Sequence, residues 1–211
     1  MSGYRVIWDA TGVNLAGLAI PAGVGLALYV TGSGGVPATA AQLAAHPDAV
    51  RIDQSPADTP ADELADVKDY EPGAATLASL PGWYRAAAVN YAEAKRPGQR
   101  WPGVYCSYSN RTEVVNEFVT AGIKSGPRLW LASWDAPVEQ IIDALVNSGG
   151  PFPVIGWQLH NAGTHDVSLV RSDWLDDVSS PYPKNQRGVV VSYTTQGRRD
   201  VTSTDHGRTF G

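Results

Sequence analysis

Two acidic side chains, Asp69 and Glu71, stand two positions apart in the stretch Asp-Val-Lys-Asp-Tyr-Glu-Pro-Gly at residues 66–73. The stretch predicts a β-strand that stops at Pro72 and Gly73, because proline lacks a backbone donor and glycine frees the turn. Side chains alternate along a strand, so both carboxyl groups face the same side. Neighbouring carboxyl groups repel when ionised, which keeps one protonated and one charged, as acid catalysis of glycoside hydrolysis requires. The alternative is a polar loop with two solvated acids.

The elements that must position these acids are short apolar runs that alternate with helical segments. Near-continuous apolar strands of this kind are typical of a parallel sheet covered by helices. The sequence predicts eight strands, at residues 4–9, 26–31, 49–53, 66–73, 103–107, 129–134, 154–160 and 166–170. It predicts helices at residues 39–46, 82–95, 111–121 and 137–147, with an N-cap at Asn110 and a C-terminal glycine at Gly122 among their end signals.

This pattern predicts an α/β fold, a compressed (β/α)8 barrel of the TIM type. The short connection between the third and fourth strands leaves out at least one helix. The competing fold, an open doubly wound sheet, would be favoured by a glycine-rich phosphate-binding turn directly after the first strand. Residues 10–14, Ala-Thr-Gly-Val-Asn, do not form such a turn. We assign the barrel to residues 1–180 and a small appendage to residues 181–211.

Acidic residues recur where the predicted strands end. Asp9 ends the first strand, Asp53 ends the third, and Asp166 lies at the eighth. The C-terminal ends of barrel strands form one face, where active sites are built, so we expect these acids to meet Asp69 and Glu71 there. Asp9 and Asp53 have an alternative role as caps of the following helices.

Aromatic side chains follow the same strand ends. The chain has seven tryptophans in 211 residues. The aromatic residues expected on this face are Tyr70, Tyr105, Tyr108, Trp130 or Trp134, and Trp157. Any one of them could be a core residue, whereas their clustering favours a groove in which sugar rings stack.

Charge and composition exclude several functions. The chain carries a net charge of −5, but residues 181–211 hold five basic and two acidic side chains, so residues 1–180 carry −8. An acidic body argues against nucleic acid as a ligand. The single cysteine, Cys106, excludes an internal disulfide framework, and no signal peptide or membrane span is predicted, so we expect no membrane partner.

Metal and nucleophile motifs are also missing from the sequence. The histidines fall in no ligand spacing; they are His46, His160, His165 and His206. Ser107 has no G-x-S-x-G context, and the glycine-rich residues 32–35 lack the lysine of a phosphate-binding loop. We therefore predict no metal and no other cofactor.

The order of these motifs resembles the barrel of glycoside hydrolase family 25. The resemblance covers residues 4–175 and rests on Asp9, then DYEPG, GVYCS, LWLASW and IGWQLHNAGTHDVS. The chain is similar above all to short lysozyme-like barrels of actinobacteria and their phages. Enzymes of the family are muramidases that cut bacterial peptidoglycan with retention of configuration. The family's longer connections after its early strands are absent here.

The resemblance implies roles for individual residues. Glu71 corresponds to the general acid and Asp69 to the acid that orients the acetamido group of the substrate. Asp9 and Asp166 correspond to supporting carboxylates, and Tyr105 and Gln158 to groove residues. We thus expect a catalytic set of Glu71, Asp69 and Asp9, and a substrate-binding set of Asp53, Tyr105, Trp134, Gln158 and Asp166.

The implied function is a peptidoglycan-cleaving muramidase, either a cell-wall lysin or a tail-associated hydrolase of a phage. We expect it in the virion, or in the host cytoplasm before release. The alternative is a catalytically inactive barrel that serves as a structural or wall-binding minor tail protein. The shortened first third and the basic C-terminal segment favour this alternative.

The C-terminal segment, residues 181–211, differs from the barrel. Pro181-Tyr182-Pro183 is typical of a linker, and residues 188–195 and 199–203 predict the two strands of a basic β-hairpin. Residues 203–210, Ser-Thr-Asp-His-Gly-Arg-Thr-Phe, resemble the Asp-box, a structural hairpin turn. An isolated hairpin is marginally stable in water, so this one must pack on the barrel or on another chain. We expect it to bind other phage tail subunits.

Overall fold

The computed structural model describes residues 3–31, 36–53, 64–67, 76–94, 99–134, 136–147, 152–176, 190–193 and 199–202. Eight strands form the main sheet: β1 Tyr4–Ala10, β2 Gly25–Thr31, β3 Val50–Asp53, β4 Leu64–Val67, β5 Gly103–Ser107, β6 Arg128–Ala132, β7 Val154–Asn161 and β8 Asp166–Arg171. The described helices are α1 Gly12–Leu15, α2 Ala40–Ala45, α3 Leu80–Ala94, α4 Arg111–Thr120, α5 Val138–Asn147 and α6 Ser172–Asp176, and a 3-10 turn at Leu77–Ser79 precedes α3.

The protein is a mixed α/β structure with a barrel-like sheet, as the sequence predicted. Strands β1 to β7 run parallel, each beside the next along the chain, and β8 pairs with both β7 and β1, which closes the sheet. We call the end where β1 to β7 finish the mouth, and the opposite end the base.

The regular eightfold repeat is not confirmed, because β8 runs antiparallel to both of its neighbours. Only residues 162–165 separate β7 from β8, and a parallel crossover needs a much longer connection. The turn is a compact hairpin in which the Gly163 amide donates to Asn161 Oδ1 and Gly163 adopts a φ of 87°. Because β8 is reversed, it begins at the mouth.

Most predicted elements are present with small shifts at their ends. Thr39 forms a capping box with Gln42 at the start of α2. Asn110 precedes α4 as predicted, but its side chain makes no capping hydrogen bond, because its backbone already has helical angles. The described fourth strand, Leu64–Val67, shares residues 66 and 67 with the strand predicted at 66–73, and residues 68–73 lie outside the described residues. The helices α1 and α6 were not predicted.

The apolar side chains form layers inside and outside the sheet. Residues from opposite sides of the barrel, including Ile7 of β1 and Tyr105 of β5, share one buried cluster, which must therefore fill the barrel interior. The alternate positions, such as Val104 and Leu131, pack outwards against α3, α4 and α5. This two-residue period is that of strands buried on both faces.

Helix α6 closes the base of the barrel. Trp174 and Leu175 reach into the interior cluster, where the Trp174 ring meets Trp130 edge to face at 6.4 Å. The Trp174 indole N–H donates to the carbonyl of Trp101 at 3.1 Å. Arg5 at the start of β1 forms a two-point ion pair with Asp176 at the end of α6. Helix α6 thus covers the base of the barrel.

The C-terminal segment contains two antiparallel strands, β9 Val190–Tyr193 and β10 Arg199–Thr202, which match the predicted hairpin. The backbone of β9 comes close to α5. The predicted linker and the Asp-box-like turn lie outside the described residues. The division into a barrel of residues 1–180 and an appendage therefore stays a prediction.

Candidate active site

Three of the acids singled out in the sequence lie at the mouth. Asp9 is the second-last residue of strand β1, Asp53 is the last residue of β3, and Asp166 is the first residue of the reversed strand β8. Asp9 and Asp166 are directly opposite each other in the ladder of β1 and β8. Directly opposite residues present their side chains on the same face with Cβ atoms about 4.5–5.5 Å apart.

This face is the barrel interior, because Ile7, two positions before Asp9, belongs to the interior cluster. Asp9 and Asp166 are therefore a carboxyl pair that points into the mouth.

The predicted catalytic pair, Asp69 and Glu71, lies outside the described residues, as does Tyr70. The described part of β4 ends at Val67, two residues before Asp69, and its C-terminal end is at the mouth. The expected roles of Asp69 and Glu71 stay predictions.

Asp9 is held by two donors inside the barrel. Its side chain is 2% exposed, the Tyr29 hydroxyl approaches Oδ1 at 3.5 Å, and the Gln158 amide donates to Oδ2 at 3.4 Å. Both donors stabilise the negatively charged form of the carboxylate. These two contacts hold the Asp9 carboxyl group in one position inside the barrel.

Gln158 links this buried carboxylate to the surface. The Trp134 indole N–H donates to Gln158 Oε1 at 3.0 Å, and the Gln158 Nε2 group donates to Asp9. An indole nitrogen can only donate and a carboxylate can only accept, so the two partners fix which end of the amide faces which side. Gln158, which is 1% exposed, therefore has a defined orientation and no solvent contact to compensate for a lost partner.

Trp134 follows β6 at the rim of the mouth and is 58% exposed. Three of the other aromatic residues expected there do not reach the solvent. Trp130, Trp157 and Tyr105 are buried, and the Tyr105 ring packs on Trp130 inside the barrel at 6.2 Å. All seven tryptophans are in the described part of the chain, and Trp134 is the one with most of its surface in solvent. Trp134 therefore presents an exposed aromatic surface at the rim.

Asp53 is completely buried, opposite Thr31 of β2 and Ala65 of β4. Its position between β2 and β4 places it beside the strand end that leads to Asp69. Burial separates Asp53 from a ligand at the rim, so a role in the site would act through its neighbours.

Two contributors to the site were not found from the sequence. Tyr29 lies in the apolar run Leu-Ala-Leu-Tyr-Val-Thr and is indistinguishable there from a core aromatic residue, yet its hydroxyl reaches Asp9. Ser168 of β8 accepts the indole N–H of Trp130 at 3.2 Å, which satisfies a polar group inside the barrel. The signal for Tyr29 is its position, since it faces the same interior as Asp9 on the adjacent strand.

Other kinds of site were searched for among the residues that the structure describes. No group of three or more His, Cys, Asp or Glu side chains there is arranged to hold a metal ion. None of the described helices combines the length and apolar character needed to cross a lipid bilayer; the longest, α3, has 15 residues.

Comparisons of the chain with protein-family models, with curated proteins and with solved structures found no match.

Proposed function

We propose that this protein is a glycoside hydrolase that cleaves the glycan of peptidoglycan, acting as a lysozyme-like muramidase. The observation that carries the proposal is the chain of hydrogen bonds from exposed Trp134 through Gln158 to buried Asp9, with Asp166 opposite. It combines, at the mouth of the barrel, an aromatic surface for a sugar ring with carboxylates for the chemistry.

In this proposal Glu71 donates a proton to the glycosidic oxygen, and Asp69 orients the acetamido group beside the anomeric carbon. The ionised Asp9 stabilises the positive charge that develops on the sugar ring in the transition state. Asp166 shares the mouth with Asp9 and completes the acidic environment. Trp134 stacks one sugar, and the barrel is a shortened relative of the family 25 type.

The test compares Glu71→Gln with Glu93→Gln, an equivalent change at an exposed position near the C-terminal end of α3. Release of reducing ends from actinobacterial peptidoglycan should be abolished by the first change and unaffected by the second. If neither wild-type protein nor Glu93→Gln releases reducing ends, the hydrolase proposal fails.

A second candidate function is a non-catalytic one, in which the barrel is a structural or wall-binding part of a phage tail. It is favoured by the short helices of the first third, where α1 has four residues and α2 has six. Longer segments at these positions would be needed to build extended walls around a glycan. Sedimentation with peptidoglycan without any release of reducing ends would support this candidate.

In both candidates the protein acts at the cell wall as part of a phage or of its lysis system. We propose that residues 181–211 join it to other tail subunits, because their net charge of +3 complements acidic surfaces. Co-purification of tail subunits with the full chain, but not with a chain that ends at Ser180, would test this part.

A further inference from the structure

A second feature of the rim is the guanidinium group of Arg111, which lies over the ring of Tyr108 at 4.8 Å from its centroid. Tyr108 is itself fixed, because its ring packs on buried Trp157 at 5.2 Å and its backbone N–H donates to the carbonyl of Ala132 at 2.8 Å. The cation is therefore held on a rigid aromatic surface. Stacking leaves the edge of the guanidinium, with its N–H donors, available for a planar acceptor.

The charge of Arg111 is not neutralised by a carboxylate in the part of the chain that the structure describes; the ion pairs there are Arg5 with Asp176 and Arg171 with Asp173. Polar groups adjoin it in sequence at the end of β5. The hydroxyls of Ser107 and Ser109 are 2.9 Å apart, and Ser109 donates to Asn110 Oδ1 at 3.4 Å. These hydroxyls can turn to donate to an anion.

The location of this cation relates it to Trp134. Tyr108 directly follows β5, and its partner Ala132 ends β6, two residues before Trp134. The stacked arginine and the exposed tryptophan therefore occupy neighbouring positions on one side of the rim. The acids Asp9 and Asp166 belong to β1 and β8, on the other side of the barrel.

The positions of these charges favour one orientation of an anionic ligand at the mouth. Among the described charged groups at the mouth, Arg111 attracts a carboxylate whereas Asp9 and Asp166 repel it, which favours a glycan placed with its carboxylate at Arg111. A guanidinium is well suited to this purpose because it binds a carboxylate through two parallel hydrogen bonds.

We propose that Arg111, with the hydroxyls of Ser107 and Ser109, binds a carboxylate of the glycan while Trp134 stacks a neighbouring sugar. The ligand class is a carboxylate-bearing amino-sugar polymer rather than a neutral one. The inference rests on the proposed function for the identity of the glycan, but its test measures binding and not cleavage.

The experiment titrates the full chain with two tetrasaccharides and follows binding by isothermal calorimetry. One contains N-acetylmuramic acid without stem peptides, so that its lactyl carboxylates are free, and the other is a neutral N-acetylglucosamine oligomer. Wild type should bind the first more tightly, and the preference should weaken as salt is raised. Arg111→Met retains the aliphatic packing on Tyr108 and should weaken binding of the acidic ligand by about 10- to 100-fold, with little effect on the neutral ligand.

The matched control is Lys124→Met, which removes a positive charge beyond the C-terminal end of α4, near the base. It should leave both affinities unchanged, and Arg111→Lys should lie between wild type and Arg111→Met because it retains the charge without the planar fork. Thermal melts verify that each variant is folded.

The proposal is overturned if wild type does not prefer the acidic tetrasaccharide, or if Arg111→Met weakens both ligands equally. Reducing-end release is measured on the same samples. Charge-selective binding without cleavage would support this site and count against the hydrolase, whereas cleavage without charge selectivity would do the opposite.

Discussion

Replacing Gln158 with glutamate tests the hydrogen-bond chain that runs from the rim to Asp9. The change preserves the shape of the side chain but replaces the donating Nε2 group with an oxygen, 3.4 Å from Asp9 Oδ2. If Asp9 is ionised, the introduced carboxyl group must either repel it or take up a proton. A protonated carboxyl group can donate to Asp9 and accept from Trp134, as the amide does.

The magnitudes decide between these outcomes. Two negative charges 3.4 Å apart repel by about 5 kcal/mol at an effective dielectric constant of about 20. Protonation costs about 1.4 kcal/mol for each pH unit above the ordinary pKa of glutamate, which is about 3.7 kcal/mol at pH 7 and about 1 kcal/mol at pH 5. Protonation costs less, so Gln158→Glu should lower the free energy of unfolding by about 3 to 4 kcal/mol at pH 7.

The pH dependence follows from linkage. The pKa of the introduced carboxyl group is raised in the folded state, so the variant is close to wild type at or below the unfolded pKa. It loses stability relative to wild type as pH rises. Urea unfolding followed by tryptophan fluorescence at pH 5, 6 and 7 measures this loss.

The control for this experiment is Gln140→Glu, at a half-buried position in the first turn of α5. This change should alter the free energy of unfolding by less than about 0.5 kcal/mol at every pH. An equal penalty at pH 5 and pH 7 for Gln158→Glu would mean that Gln158 does not face an ionised Asp9, and the role assigned to the hydrogen-bond chain would be wrong.

Three further predictions concern the fold around the site. Trp174→Ala should destabilise the protein by about 3–5 kcal/mol in urea unfolding, because Trp174 is buried in the base. Trp134→Ala should cost about 1–2 kcal/mol, because the exposed ring loses little burial but Gln158 Oε1 loses its donor; similar losses would contradict the assigned burial. Burial raises the pKa of Tyr84, and the hydrogen bond from Trp101 and the charge of Arg128 offset part of this rise. The free energy of unfolding should therefore fall as pH rises above about 10. Thermal melts of Tyr84→Phe should show a smaller decline over the same pH range. A chain ending at Ser180 should remain a folded monomer by circular dichroism and light scattering; unfolding would place the hairpin within the barrel's own fold.

The strands could be predicted because buried parallel strands have a nearly continuous apolar pattern, as in Arg-Leu-Trp-Leu-Ala of β6. The direction of β8 could not be obtained from that pattern, since period and composition do not distinguish a parallel from an antiparallel strand. The short connection around Gly163 indicates the direction of β8, because a connection of this length can join two antiparallel strands but not two parallel ones. Helix α6 has five residues, too few to show a helical period.

For the site, the sequence indicates which acids approach the mouth but not which aromatic residues reach solvent. Trp130 and Trp134 are four positions apart in one segment, yet the first is buried inside the barrel and the second is exposed at the rim. Strand alternation continues only to Ala132, where β6 ends, so the exposure of Trp134 depends on the loop and not on the strand. The contact between Gln158 and Asp9 joins residues that are 149 positions apart in the sequence, and it forms only when the barrel closes.

That closure has a consequence for synthesis on the ribosome. The β1–β8 ladder joins Tyr4 to Arg171, the greatest separation in sequence of any strand pair in the sheet. While β8 remains within the exit tunnel, β1 and β7 are both edge strands with unpaired backbone groups, and edges of this kind promote aggregation. The nascent chain is therefore exposed until almost the whole barrel has been translated. The β7–β8 hairpin, formed from residues close in sequence, then supplies the last strand as a unit and completes the ring.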